Sequence, residues 1–185
     1  MADAPDAVAV DLVGALAKAG MECAVGGAIA LGFHGEPRGT KDVDLDVFVG
    51  EERYEEMLDV LERAGCTFDR TRCLAQARAG ETVVLWKDGF RVDVFVPTIP
   101  FYAEAARRRT VVRLRGRDVP ILDAESLCVF KLLFFRPKDL LDVEKVVALS
   151  PLDHGFVRRW IVDMVGESDE RVRRWDAIVA ALGAH

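Results

Sequence analysis

The chain has 185 residues, 51% of them hydrophobic, and a formal net charge of −6. That much apolar material excludes a disordered chain, and the negative balance excludes a protein that coats nucleic acid with an overall basic surface, though not one with a local basic patch. The length fits one domain, or one domain with an appendage. The acidic start MADAPDAV lacks the basic start and apolar core of a signal peptide, and no run approaches the roughly 18 apolar residues of a membrane span, so a cytoplasmic protein is expected. Cys23, Cys66, Cys73 and Cys128 show no CxxC spacing and read as buried free thiols.

Residues 6–19 read as a helix, with Pro5 in its first turn, Gly20 as its cap and Val8, Leu12, Val13 and Leu16 as an apolar stripe. A short strand, 22–25, runs into Gly26-Gly27, and a small apolar helix follows over 28–33. Residues 34–40 form a loop, and the acidic strand Asp42-Val-Asp-Leu-Asp-Val ends near Gly50. Residues 51–64 carry Tyr54, Met57, Leu58 and Leu61 at helical spacing, and Gly65 ends that helix. Residues 66–81 are ambiguous, with room for a short helix over 73–78. Strands 82–87 and 90–96 flank Asp88-Gly89, a strong hairpin signal. A short helix over 100–109 leads to a second hairpin around Gly116. From Asp123, a plausible N-cap, only helices follow: 125–135, one begun by Pro137, 153–165 and 168–182, with Trp160 and Trp175 as core.

The stretch VGGAIALGFHGEPRGTKDVDLDVFV (residues 25–49) organises the chain. Strand alternation puts Asp42, Asp44 and Asp46 on one face and Val43, Leu45, Val47 and Val49 on the other. Three like charges on one face repel, a cost that a divalent cation relieves. Gly26 and Gly27 let backbone amides approach a phosphate at the start of a helix. In RVDVFVP, Asp93 shares a face with Arg91 and Phe95. It is either a third metal carboxylate or an acid on an edge strand paired with Arg91 or Lys87. Lys131, the one charge in SLCVFKLLFF, either snorkels to water, the reading this segment favours, or reaches an anion. Asp139 and Asp142 share a helix face and fit a first turn as charges on the dipole. The run Arg107, Arg108, Arg109, Arg113, Arg115 and Arg117 is either solvated surface offsetting the acidic strand or a site for phosphate or RNA backbone. His34, His154 and His185 are scattered.

VGGAIALGFHGEPRGTKDVDL resembles the signature of the nucleotidyltransferase superfamily, and its HG, Arg, Thr and DVD spacing is most similar to the minimal and AbiEii-toxin-like bacterial branch. The resemblance implies an α/β (α+β-like) nucleotidyltransferase core with a small mixed sheet over residues 1–122, followed by a helical portion over 123–185. It implies two Mg²⁺ held by the catalytic residues Asp42, Asp44 and Asp93, with an NTP as substrate. Gly26, Gly27, Arg38, Thr40 and Lys131 would bind the nucleotide. Asp46 is expected to be a solvated or salt-bridged carboxylate. The pattern Lys131-x4-Arg136-x-Lys138-Asp139-x-x-Asp142 is similar to a later motif of the same branch and makes Asp139 and Asp142 second-rank candidates. The acceptor implied is a hydroxyl of tRNA or of a protein, as for the toxin of a toxin–antitoxin pair, or of a small antibiotic-type molecule. A non-catalytic nucleotide-binding module and an interaction protein with an acidic surface are the alternatives, and the three carboxylates argue against the first of these.

Overall fold

The computed structural model describes residues 4–182, so the head of the acidic N-terminal stretch and His185 lie outside the described residues. Helix α1 (Pro5–Lys18) opens the chain and buries Val8, Leu12, Val13 and Leu16. Strand β1 (Cys23–Val25) leads into α2 (Gly27–His34), and β2 (Asp42–Val47) is the acidic strand. A 3-10 turn precedes α3 (Tyr54–Arg63), whose buried Tyr54, Met57, Leu58 and Leu61 are the expected stripe. The ambiguous region resolves into α4 (Arg70–Arg78), started by Asp69, whose side chain accepts a hydrogen bond from the Arg72 amide.

Strands β3 (Val83–Lys87) and β4 (Phe90–Phe95) form the expected hairpin, and Asp88 and Gly89 take positive φ values of 52° and 85°, the backbone that a type I′ turn requires. Helix α5 (Phe101–Arg108) is followed by the hairpin β5 (Thr110–Leu114) and β6 (Arg117–Ile121). The strands form one mixed six-stranded sheet in the order β3-β4-β2-β1-β6-β5. β2 is antiparallel to β1 and parallel to β4. Its core face is fully buried at Val43, Leu45 and Val47, as is that of β4 at Val92 and Val94.

The remaining helices are α6 (Ala124–Phe134), α7 (Pro137–Leu149), α8 (His154–Val165) and α9 (Glu170–Leu182). Asp123 caps α6 by accepting from the Ser126 amide. Trp175 is core, whereas Trp160 stays half-exposed, against expectation. All four cysteines are buried. Contacts divide the described residues into two units: one runs up to Ile29 and resumes over Gly39–Leu122, and the other takes Ala30–Arg38 together with the chain from Asp123 onward. The helical unit therefore includes a stretch from before the acidic strand, which the boundary at 122/123 alone does not capture.

Candidate active site

In the sheet unit, β2 and β4 run side by side with Asp42 opposite Arg91 and Asp44 opposite Asp93. Paired residues share a sheet face, so Asp42, Asp44 and Asp93 come together on the face turned away from the apolar core. All three are half-buried. The Gly26 amide donates to the Asp44 carbonyl at 2.9 Å, tying the end of β1 to β2. Gly27, with φ +54°, begins α2, and a Cβ placed on it would stand 1.7 Å from Asp44 Oδ2. The Asp44 carboxylate thus lies directly against a backbone position that only glycine fills.

Two assignments change here. β4 lies between β3 and β2, so Asp93 does not sit on an edge strand. Its pairing with Arg91 does occur: Nε donates to Asp93 Oδ1 at 2.7 Å. That hydrogen bond, reinforced by the charges of Asp93, Asp42 and Asp44, raises the guanidinium's pKa against the opposing effect of burial. Asp46 is not a solvated or salt-bridged acid. It is 4% exposed, and its Oδ2 would be 3.0 Å from a Cβ on Gly26. Burial, and then the charge of Asp44, push its pKa well above the usual carboxylate range. Thr40 braces the entry to β2, where its hydroxyl donates to the Asp42 carbonyl and accepts from the Asp42 amide, both at 3.1 Å.

Carboxylate oxygens on one face are the donor chemistry that Mg²⁺ takes. As the side chains stand, no group of three or more His, Cys, Asp or Glu residues among those described is gathered to hold a metal ion. Asp93 is instead engaged by Arg91.

The helical unit holds an ion-pair chain whose centre is buried and whose end arginines are partly exposed. Arg38 grips Asp142 with Nε and Nη2 at 3.1 and 3.0 Å. Lys131 Nζ donates to Asp142 Oδ2 at 2.7 Å and lies 3.7 Å from Asp139 Oδ1. Arg136 holds Asp139 through Nε and Nη2 at 2.6 and 3.2 Å. Lys131, Asp139 and Asp142 are 5%, 1% and 2% exposed. Lys131 therefore does not snorkel, because its partners arrive from α7. Nor are the two acids mere charges on a helix start, because each is buried and ion-paired. Burial alone would raise the Asp142 pKa, but the hydrogen bonds from Arg38 and Lys131 outweigh it and hold it below the ordinary value.

Four of the six arginines in the run are ion-paired at the surface of the sheet unit. Arg107 pairs with Glu104, Arg109 with Glu22, Arg113 with Asp118 and Arg115 with Asp6. His34 closes α2, and its carbonyl accepts from the Ser150 hydroxyl at 2.6 Å.

The family model for aminoglycoside-2''-adenylyltransferase matches residues 9–146. The chain belongs to this family. It is accordingly a nucleotidyltransferase. An antigenic nucleotidyltransferase-like protein from Paracoccidioides brasiliensis is similar over 95% of this chain and 94% of its own, at 18% identity and a TM-score of 0.54. The crystal structure of ANT(2'')-Ia in complex with adenylyl-2''-tobramycin covers 96% of this chain and 95% of its own, at 14% identity and 0.52. The solution structure of the antibiotic-resistance factor ANT(2'')-Ia covers 95% and 89%, at 15% identity and 0.50. At these identities the likeness establishes the fold, a mixed sheet with flanking helices. No curated protein matches the sequence. The superfamily resemblance holds, while its narrower form, the AbiEii-toxin-like branch, finds no support in these matches.

The parallel register of β2 and β4 is what makes Asp44 and Asp93, far apart in sequence, neighbours in the sheet. The signal for Arg91 was legible, since it sits two residues from Asp93 on the same strand face. The motif from Lys131 to Asp142 had grouped Lys131 with both acids, but the bond from Arg38 to Asp142 carried no local signal.

Proposed function

We propose that the protein transfers an adenylyl group from ATP to a hydroxyl of a small, polycationic acceptor of the aminoglycoside class. The observation that carries this reading is the Asp44–Asp93 pair on adjacent parallel strands, with Gly27 pressed against Asp44, in a chain of this family. The net charge of −6 suits a cationic acceptor better than RNA. Nothing in the site favours a tRNA, protein or antitoxin partner.

Asp42, Asp44 and Asp93 would hold Mg²⁺, which when bound neutralises triphosphate charge and acidifies a hydroxyl. The chain's own part is positional. The backbone amides at the start of α2, freed of side chains at Gly26 and Gly27, would face phosphate oxygens. Asp93, half-buried on the shared face, would accept the proton of the acceptor hydroxyl. Arg38 and Arg136, the partly exposed ends of the ion-pair chain, would offer guanidinium donors to phosphate oxygens.

The test is a transfer assay with each of the four α-³²P-labelled NTPs, offered in parallel to an aminoglycoside panel, total tRNA and a cell lysate. Label from ATP on an aminoglycoside alone supports the reading. Label on RNA or a protein band, with none on any aminoglycoside, overturns it.

A further inference from the structure

Resting on the carboxylate assignment above, we propose that Arg91 is the resident counter-cation of the Asp42–Asp44–Asp93 face, and that a divalent cation binds there by displacing the Arg91–Asp93 ion pair. The parallel register sets Arg91 beside Asp42, with Asp93 beside Asp44, so one cation and three acids share one patch of sheet. Three carboxylates this close repel, and Arg91 offsets that repulsion when no metal is present. It does so through one contact, Nε to Asp93 Oδ1 at 2.7 Å. The Arg91 side chain is 43% exposed and that of Asp93 16%, so the guanidinium has solvent on one side into which it can swing. An ion pair open to solvent in this way is weakly held, and a dication brings twice the charge to the same oxygens. Arg91 is thus a positioning residue that keeps Asp93 in place and competes with the metal.

The experiment measures Mn²⁺ binding to the full chain, by the electron paramagnetic resonance signal of the free ion. It compares wild type, Arg91→Gln, Arg91→Lys and an Asp44→Asn/Asp93→Asn variant, with melting temperatures recorded with and without Mn²⁺. Removing one positive charge next to a dication in a solvated site is expected to tighten Mn²⁺ binding about tenfold in Arg91→Gln. Arg91→Lys should bind within about twofold of wild type, and the double Asn variant should lose saturable binding. Metal-free Arg91→Gln should melt below wild type and gain more from Mn²⁺. Equal or weaker binding by Arg91→Gln, with wild type still saturable, overturns the role of Arg91 and leaves the carboxylate site intact. Binding by the double Asn variant equal to wild type, or no saturable binding by wild type or Arg91→Gln, overturns the carboxylate site, and the inference with it.

Discussion

Replacing Gly27 by alanine separates the chemistry of this site from its stability. A Cβ there would lie 1.7 Å from Asp44 Oδ2 and 2.5 Å from Asp44 Cγ. Normal van der Waals separation requires the carboxylate to retreat by more than about 1 Å. The backbone also holds φ +54°, which costs a non-glycine residue about 1–2 kcal/mol. Turning the carboxylate relieves two of these contacts, but Asp44 Cβ would still stand 2.9 Å from the added methyl, so the backbone must shift as well. With the strained φ, the expected loss is about 2–5 kcal/mol, or roughly 4–20 °C in melting temperature for a chain of this length. A displacement of about 1 Å in a reacting constellation lowers the rate about 100-fold. Initial rates of pyrophosphate release should therefore fall about 100-fold or more in kcat/KM. Gly116→Ala is the control. It has the same backbone problem, with φ +77°, but nothing lies within 4 Å of the added methyl, so it should lose stability and keep its rate. A folded Gly27→Ala protein working within threefold of wild type would refute the placement of Asp44 in the chemistry.

Lys131→Met removes the cation shared by Asp142 and Asp139, and breaking a buried pair of this kind should cost about 3 kcal/mol, seen as a drop of roughly 6–12 °C by calorimetry. Asp142 is ionised more readily in the fold than in the unfolded chain, so its stabilisation is complete above the unfolded value of about 3.9 and is lost as pH falls through the lower folded value. Urea titrations of Asp142→Asn below pH 4 should accordingly show a shallower acid dependence than wild type. The opposite sign applies to Asp46, whose folded pKa is raised: its contribution is greatest below about pH 3.9 and declines as pH rises toward the folded value. Asp46→Asn should melt above wild type at pH 8, with the gap closing toward pH 4, and a melting series over that range checks it.

Much of this was legible because it is local. The stripe of α3, the Asp88-Gly89 turn and the polar faces of β2 and β4 follow from periodicity and turn chemistry within a few residues. The alternation that put Asp44 and Asp93 on polar faces did not state that β4 would lie parallel to β2 in the register that pairs them, since that is a non-local choice made by the whole sheet. Lys131 looked like a snorkelling lysine because its own helix is apolar, and its partner Asp142 belongs to the next helix. Arg38 and Asp142 are 104 residues apart, so their bond left no trace in either neighbourhood. The arginine run showed its charge but not its acids, because Glu22 and Asp6 come from elsewhere in the chain. Asp46 had the right face, but its burial depended on what packs above it, which alternation does not state.

The most direct test of the central claim is transfer of label from α-³²P-ATP to an aminoglycoside by wild type and by the Asp44→Asn/Asp93→Asn variant, both shown to be folded. The account predicts a labelled aminoglycoside with wild type and none with the variant. Equal labelling by the two proteins would contradict it, because adenylyl transfer would then proceed without the paired carboxylates on which the site is built.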